Sequence, residues 1–139
     1  MARAVGEGGT LVLDAEGLSK AASNDRAMRI RLAAAYKRDA RVVLSAITIA
    51  EVLRHPARDA NVNRALKKLA VIDVDTDIAR DAGVLLGKGA MTGTPGNPTV
   101  DAVVAATAIR QDEPVIVLTS DPGDLTRLLD DTPVTVIHV

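Results

Sequence analysis

The chain has no cysteine, no tryptophan and no phenylalanine, and Tyr36 is its single aromatic residue among 139. Without cysteine, disulfides, thiolate metal sites and cysteine nucleophiles are excluded. Two histidines, His55 and His138, are too few for a histidine-rich zinc site. One tyrosine gives no platform on which bases could stack, so any nucleic acid must be held by shape, backbone and a few hydrogen bonds. No apolar run approaches the ~20 residues that span a bilayer, so no membrane association is expected. The stretch Met1 to Thr10 lacks the apolar core of a signal peptide, and a cytoplasmic location is expected.

What remains is aliphatic. Hydrophobic residues make up 47% of the chain, enough for a real core, which must be filled by Val, Leu, Ile and Ala. The length suits one domain, expected over residues 11–139 behind a flexible segment at 1–10. The net charge of −1 argues against holding nucleic acid by bulk electrostatics. If Asp14, Glu51, Asp101, Asp121 and Asp124 face one cation-filled pocket, however, 13 of the 18 acids are left against 17 bases, and the outer surface is mildly basic.

Short β-branched runs alternate with helical patterns. Strands are expected at Leu11 to Leu13, Val42 to Leu44, Val71-Ile72, Val115 to Leu118 and Val134 to Val139. Helices are expected over Ala15 to Ala22 and Asn24 to Arg38. Ser45 should cap a helix from Ile47 to Arg54, stopped by Pro56, and Val62, Ala65, Leu66 and Leu69 form the stripe of another. Thr76 can cap a helix ending near Gly87; Lys88 to Pro98 is loop-like; Pro98 opens a helix through Ala108; Asp124 to Leu129 forms a last short one. Strands without polar alternation indicate a mostly parallel five-stranded sheet covered on both faces, hence a three-layer α/β/α sandwich.

Against that pattern the acids fall regularly. Asp14 directly follows the first strand, and Asp121 follows Val115 to Leu118 after Thr119 and Ser120. Glu51 lies in the first turns of the helix after the second strand, and Asp101 in the first turn of its own. Taken singly, each could be a helix cap or a dipole partner. Together they lie at strand carboxyl ends or helix N-termini, which share one edge of a parallel sheet. Four carboxylates on one rim must protonate or hold a cation, and hard oxygen ligands suit Mg²⁺ with Mn²⁺ as a substitute. Such an ion activates water and neutralises charge on a phosphodiester, so metal-assisted phosphoryl chemistry is expected.

Leu11-Val12-Leu13-Asp14-Ala15, Ile47-Thr48-Ile49-Ala50-Glu51-Val52-Leu53, Thr99 to Ala108 around Asp101, and Leu118-Thr119-Ser120-Asp121-Pro122-Gly123-Asp124-Leu125 together resemble the ordered signatures of PIN domains, most of all VapC-type toxins of toxin–antitoxin pairs. The resemblance spans essentially the whole chain. It implies a Mg²⁺-dependent endoribonuclease, homodimeric and inhibited by a cognate antitoxin whose helix lies in a groove of the early Ala-rich helices. It also implies Asp14 and Asp101 as principal metal ligands, with Glu51 and Asp121 completing a catalytic quartet; Asp121 is counted among the metal ligands. Thr119 or Ser120 would add a hydroxyl, and Asp124 either joins the site or caps the following helix. A PIN-like nuclease of RNA processing, or a silent protein-binding module, shares these features.

Arg54 and His55 follow Glu51 by three and four residues on roughly its face; Arg54 is a candidate for the substrate phosphate, whereas His55 is not expected to act as a general base. The cations from Arg26 to Arg41 spread around their helix and read as solvated surface. Gly83 to Gly89 fails the phosphate-loop pattern in spacing and context, and Pro98 rules out glycosylation at Asn97. Receiver domains need paired acids after the first strand, and haloacid-dehalogenase-like phosphatases need Asp-x-Asp; Asp14-Ala15-Glu16 supplies neither.

Overall fold

A computed structural model describes residues 8–89 and 98–139. Five strands and seven helices follow one another as β1 (Thr10–Leu13), α1 (Ala15–Ala22), α2 (Arg26–Lys37), β2 (Arg41–Ser45), α3 (Ala46–Val52), α4 (Ala60–Leu66), β3 (Ala70–Ile72), α5 (Thr76–Lys88), α6 (Pro98–Ile109), β4 (Val115–Thr119), α7 (Pro122–Leu128) and β5 (Val134–His138). The strands form one sheet in the order β3-β2-β1-β4-β5, and every pairing is parallel rather than mostly so.

The period of two along each strand divides the core. Val12, Val43, Val115 and Val117 face α5, α6 and α7 through Ile78, Ala82, Val104, Leu125 and Leu128. Leu11, Leu13, Val42 and Leu118 turn the other way, onto Met28 and Ala35 of α2 and Ala21 of α1. The result is the three-layer sandwich expected. Helix α6 is buried continuously from Ala102 to Ala108, so its apolar residues are not confined to one stripe. Small residues dominate it, which lets it lie close to both the sheet and α5.

Several boundaries differ from the expected ones. Asp75, not Thr76, caps α5, its carboxylate accepting from the Ile78 N–H at 2.8 Å. That helix runs on through Lys88 before Gly89. Ser45 does cap α3, accepting from the Ile47 N–H at 3.2 Å, but the helix ends at Val52, short of Arg54. Leu69 lies beyond α4, in the approach to β3. The N-terminal segment expected to be flexible contributes Thr10 to β1, where it is buried; its residues 1–7, like most of the loop expected at Lys88 to Pro98, fall outside the described residues. Among the described residues no helix is long and apolar enough to cross a membrane.

One topological feature positions everything that follows. From β1 the chain moves outward to β2 and β3, then returns through α5 and α6 to lay β4 on the other side of β1. The order therefore reverses between β1 and β4. At such a reversal the connections leave the sheet in opposite directions and open a crevice at the strand carboxyl ends.

Candidate active site

Asp14 and Asp121 stand at the two lips of that crevice. Leu13 and Leu118 are register partners in β1 and β4, and the Asp14 N–H donates to the Leu118 carbonyl at 3.2 Å. The Asp14 side chain caps α1, accepting from the Gly17 N–H at 2.8 Å. Little room is left for a side chain at Gly17 because α1 lies directly on the strands. A Cβ at this position would stand 3.2 Å from the Leu13 Cβ and 3.3 Å from the Leu118 carbonyl oxygen.

Thr119, 1% exposed, connects the two lips. Its hydroxyl oxygen accepts from the Asp121 N–H at 3.1 Å, and its hydrogen bond to the Asp14 carboxylate helps to keep that group ionised. Of the two hydroxyls the sequence offered, Thr119 is thus the one bonded to the acids. Ser120 is exposed, with no bond to an acid among the described residues.

The electrostatics centre on Asp101, in the first turn of α6. Its pKa is pushed up to about 6, first by burial and then by the charges of Asp124, Glu51, Asp121 and Asp14 in that order. All four of the other acids singled out in the sequence therefore act on one carboxyl. Asp14 is also raised, chiefly by burial, against the pull of its hydrogen bonds to Thr119 and Gly17. Glu51 is raised by desolvation and by Asp14, while Arg54 opposes the shift. Glu51 is exposed overall, and Asp14 is the charge that raises it.

Asp124, ambiguous in the sequence, exerts the largest charge effect on Asp101. Its side chain makes no capping bond among the described residues, and neither does Asp121 at the N-cap of α7. The signal for this was the spacing: three residues after Asp121, Asp124 returns to the same side of the helix. Arg54 acts on Glu51, yet its Nη1 donates to the carbonyls of Ala50 at 2.9 Å and Leu53 at 2.8 Å, so part of the guanidinium closes the end of α3.

The carboxylates repel without converging. Among the described residues, no three acidic or histidine side chains form a ready-made metal cage. The donor set nonetheless fits a hard divalent cation. It consists of carboxylate oxygens with one hydroxyl behind them, and the charge that raises Asp101 is what such an ion would neutralise.

Outside the crevice, α1, α2 and α4 enclose a groove of about 610 Å³. Ala21, Leu32, Ala33, Ala65 and Leu69 contribute apolar surface, and Arg29, Arg64 and Lys68 add charge of one sign.

Three solved complexes share this architecture. The VapBC2 of Rickettsia felis, described as bound to a DNA fragment from its promoter, superposes with a TM-score of 0.72 at 18% identity, over 92% of this chain and 98% of that one. The DNA-bound VapBC of Salmonella typhimurium gives 0.65 at 21% identity, covering 91% and 97%. VapBC-5 of Mycobacterium tuberculosis, described as a member of a family of toxin–antitoxin systems, gives 0.57 at 23% identity, covering 94% and 98%. At these identities the likeness is one of fold. A search of curated proteins finds no match. Residues 11–128 match the PIN domain, and the chain therefore belongs to the PIN domain family.

Proposed function

We propose that the protein is a divalent-metal-dependent endoribonuclease, the toxin of a VapBC-type pair, held inactive by a cognate antitoxin. The observation that carries this reading is the action of four separate carboxylates on Asp101 at the mouth of the β1–β4 crevice. The PIN domain match and the likeness to solved VapBC complexes support it.

In this reading Asp14, Asp101 and Asp121 hold the metal, Mg²⁺ or in its place Mn²⁺, with Glu51 and Asp124 completing the acidic wall. When bound, the ion supplies an activated water and neutralises charge that builds on the phosphodiester in the transition state. The chain's own residues do the rest. The Thr119 hydroxyl and the N–H groups of Gly17 and Glu16 hold the Asp14 carboxylate in place, leaving a lone pair for a ligand. Thr119 ties the Asp121 backbone to the same point. Glu51, whose pKa is raised by desolvation and by Asp14, would orient the water beside these acids.

The groove of α1, α2 and α4 suits an amphipathic helix of the antitoxin, whose apolar anchors would meet Leu32, Ala65 and Leu69. A homodimer is part of the same proposal, by likeness to the family.

The test is cleavage of tRNA and rRNA by purified protein with Mg²⁺, beside Asp14→Asn and Asp101→Asn. Each variant should lose at least about a hundredfold in rate, the lower range for removing a preorganised charge at a reacting centre. Equal cleavage by all three proteins ends the assignment. Co-purification of a small co-expressed neighbour, released by substitutions at Leu32 or Ala65, tests the inhibitor.

A further inference from the structure

The acidic crevice presents a difficulty to a polyanionic substrate, and the chain carries a local answer to it. Charge is distributed unevenly around the site. Residues 112–131, which build β4, α7 and their connections, contain six acids and a single cation, Arg127. Residues 54–68, which follow α3 and form α4, contain five Arg or Lys and a single acid, Asp59; Arg64 and Lys68 line the groove outside the crevice, and Arg54 and Arg58 lie in the turn directly after α3.

That one acid is committed to its own backbone. The Asp59 carboxylate accepts from the N–H groups of both Arg54 and His55, each at 2.8 Å. The turn closes further through Arg58 N–H to the His55 carbonyl at 2.9 Å and Ala57 N–H to the His55 Nδ1 at 3.3 Å. The stretch after α3 is therefore a fixed turn, and its one carboxylate is engaged by two of its own N–H groups. Arg58 is exposed on it, without an ion pair among the described residues. Arg54 spends Nη1 on two carbonyls, while its Nε and Nη2 make no bond among the described residues. Arg54 lies two residues beyond the end of α3 and bonds back to the carbonyl of Ala50, the residue before Glu51, so the turn borders the acid cluster itself.

We propose that the turn Arg54–Asp59 is the phosphate-binding track of the site, with Arg54 and Arg58 gripping the RNA backbone immediately beside the scissile bond. Asp59 is a positioning residue, acting through the turn and not on the RNA. The strand enters over α3 and α4 and leaves the acids of α7 to the metal. This rests on the ribonuclease reading for its substrate class.

The track is tested by the binding of a fluorescein-labelled single-stranded RNA oligonucleotide to the full chain in EDTA, so that binding is read without cleavage. Arg58→Glu should weaken binding about tenfold and reduce the slope of log affinity against log salt by about 0.7, the value of one single-strand phosphate contact. Arg80→Glu, which makes the same charge change on exposed α5, should leave both nearly unchanged. Asp59→Ala makes the protein more positive, yet it should weaken binding because the turn loses its latch. Equal losses in Arg58→Glu and Arg80→Glu, tighter binding by a folded Asp59→Ala, or no binding by the wild type overturns the track. Cleavage by a wild type whose Arg58→Glu variant is unaffected removes the track and leaves the ribonuclease standing. The expected binding pattern with no cleavage under Mg²⁺ does the reverse.

Discussion

Asp101 carries the most informative single ionisation in the molecule. Its folded-state pKa of about 6 lies above the ordinary 3.8, so between those values the native protein keeps a proton that the unfolded chain has released. Stability of the metal-free protein must then fall as pH rises through that window and level off above it. Asp14 and Glu51 shift in the same direction and add to the trend. In EDTA, the melting temperature should accordingly rise as the buffer is taken from about pH 7 to about pH 5, by a smaller amount in Asp101→Asn. A melting temperature that drops over this range, or a slope identical in the variant, contradicts the electrostatics described for the crevice. At this scale the sequence was largely legible, because a carboxylate directly after a strand can be read from order alone. The hydroxyl was not: Thr119 and Ser120 are neighbours, and only the pleat decides which of them turns inward against Asp14.

Two elements turn on how closely a helix start fits its surroundings. Helix α5 is capped by Asp75, so Asp75→Ala should cost about 1 kcal/mol in chemical denaturation, whereas Thr76→Ala should cost only a few tenths. The reverse ranking would restore the cap expected from sequence. Both residues are good caps, and a rule based on composition cannot separate neighbours one position apart. Helix α1 gives the opposite of the usual result for a helical glycine. Gly→Ala normally stabilises a helix by up to about 1 kcal/mol. At Gly17 the added methyl meets the Leu13 Cβ and the Leu118 carbonyl, the latter held by Asp14. Gly17→Ala should therefore destabilise by about 1 kcal/mol, as overpacking does, and disturb the Asp14 lip as well. Unfolding in urea measures it. Helix α4 was visible in the apolar stripe of Val62, Ala65 and Leu66; the early end of α3 was not, since Leu53 and Arg54 continue a helical pattern that the Asp59 turn overrides.

For the molecule as a whole, a divalent ion that binds the folded acids and not the unfolded chain must raise the melting temperature with concentration. Millimolar Mg²⁺ or Mn²⁺ should do so at neutral pH in the wild type, and much less in Asp14→Asn. No shift in the wild type would leave the acids of the crevice without the ion proposed for them. The alternation of strands and helices, together with an apolar content that only aliphatic residues supply, made the layered architecture readable in advance. The strand order was not readable, because it depends on which side of β1 the chain returns to after α5 and α6, and nothing local to those helices encodes that choice.

That order has a consequence for synthesis on the ribosome. The middle of the sheet is completed almost last: Asp14 leaves the exit tunnel early, but the carbonyl its N–H bonds to belongs to Leu118, and Thr119 and Asp121 arrive later still. A nascent chain stalled before β4 has only one wall of the crevice, with β1 unpaired on that side. The crevice is thus assembled only once β4 and the start of α7 have joined β1.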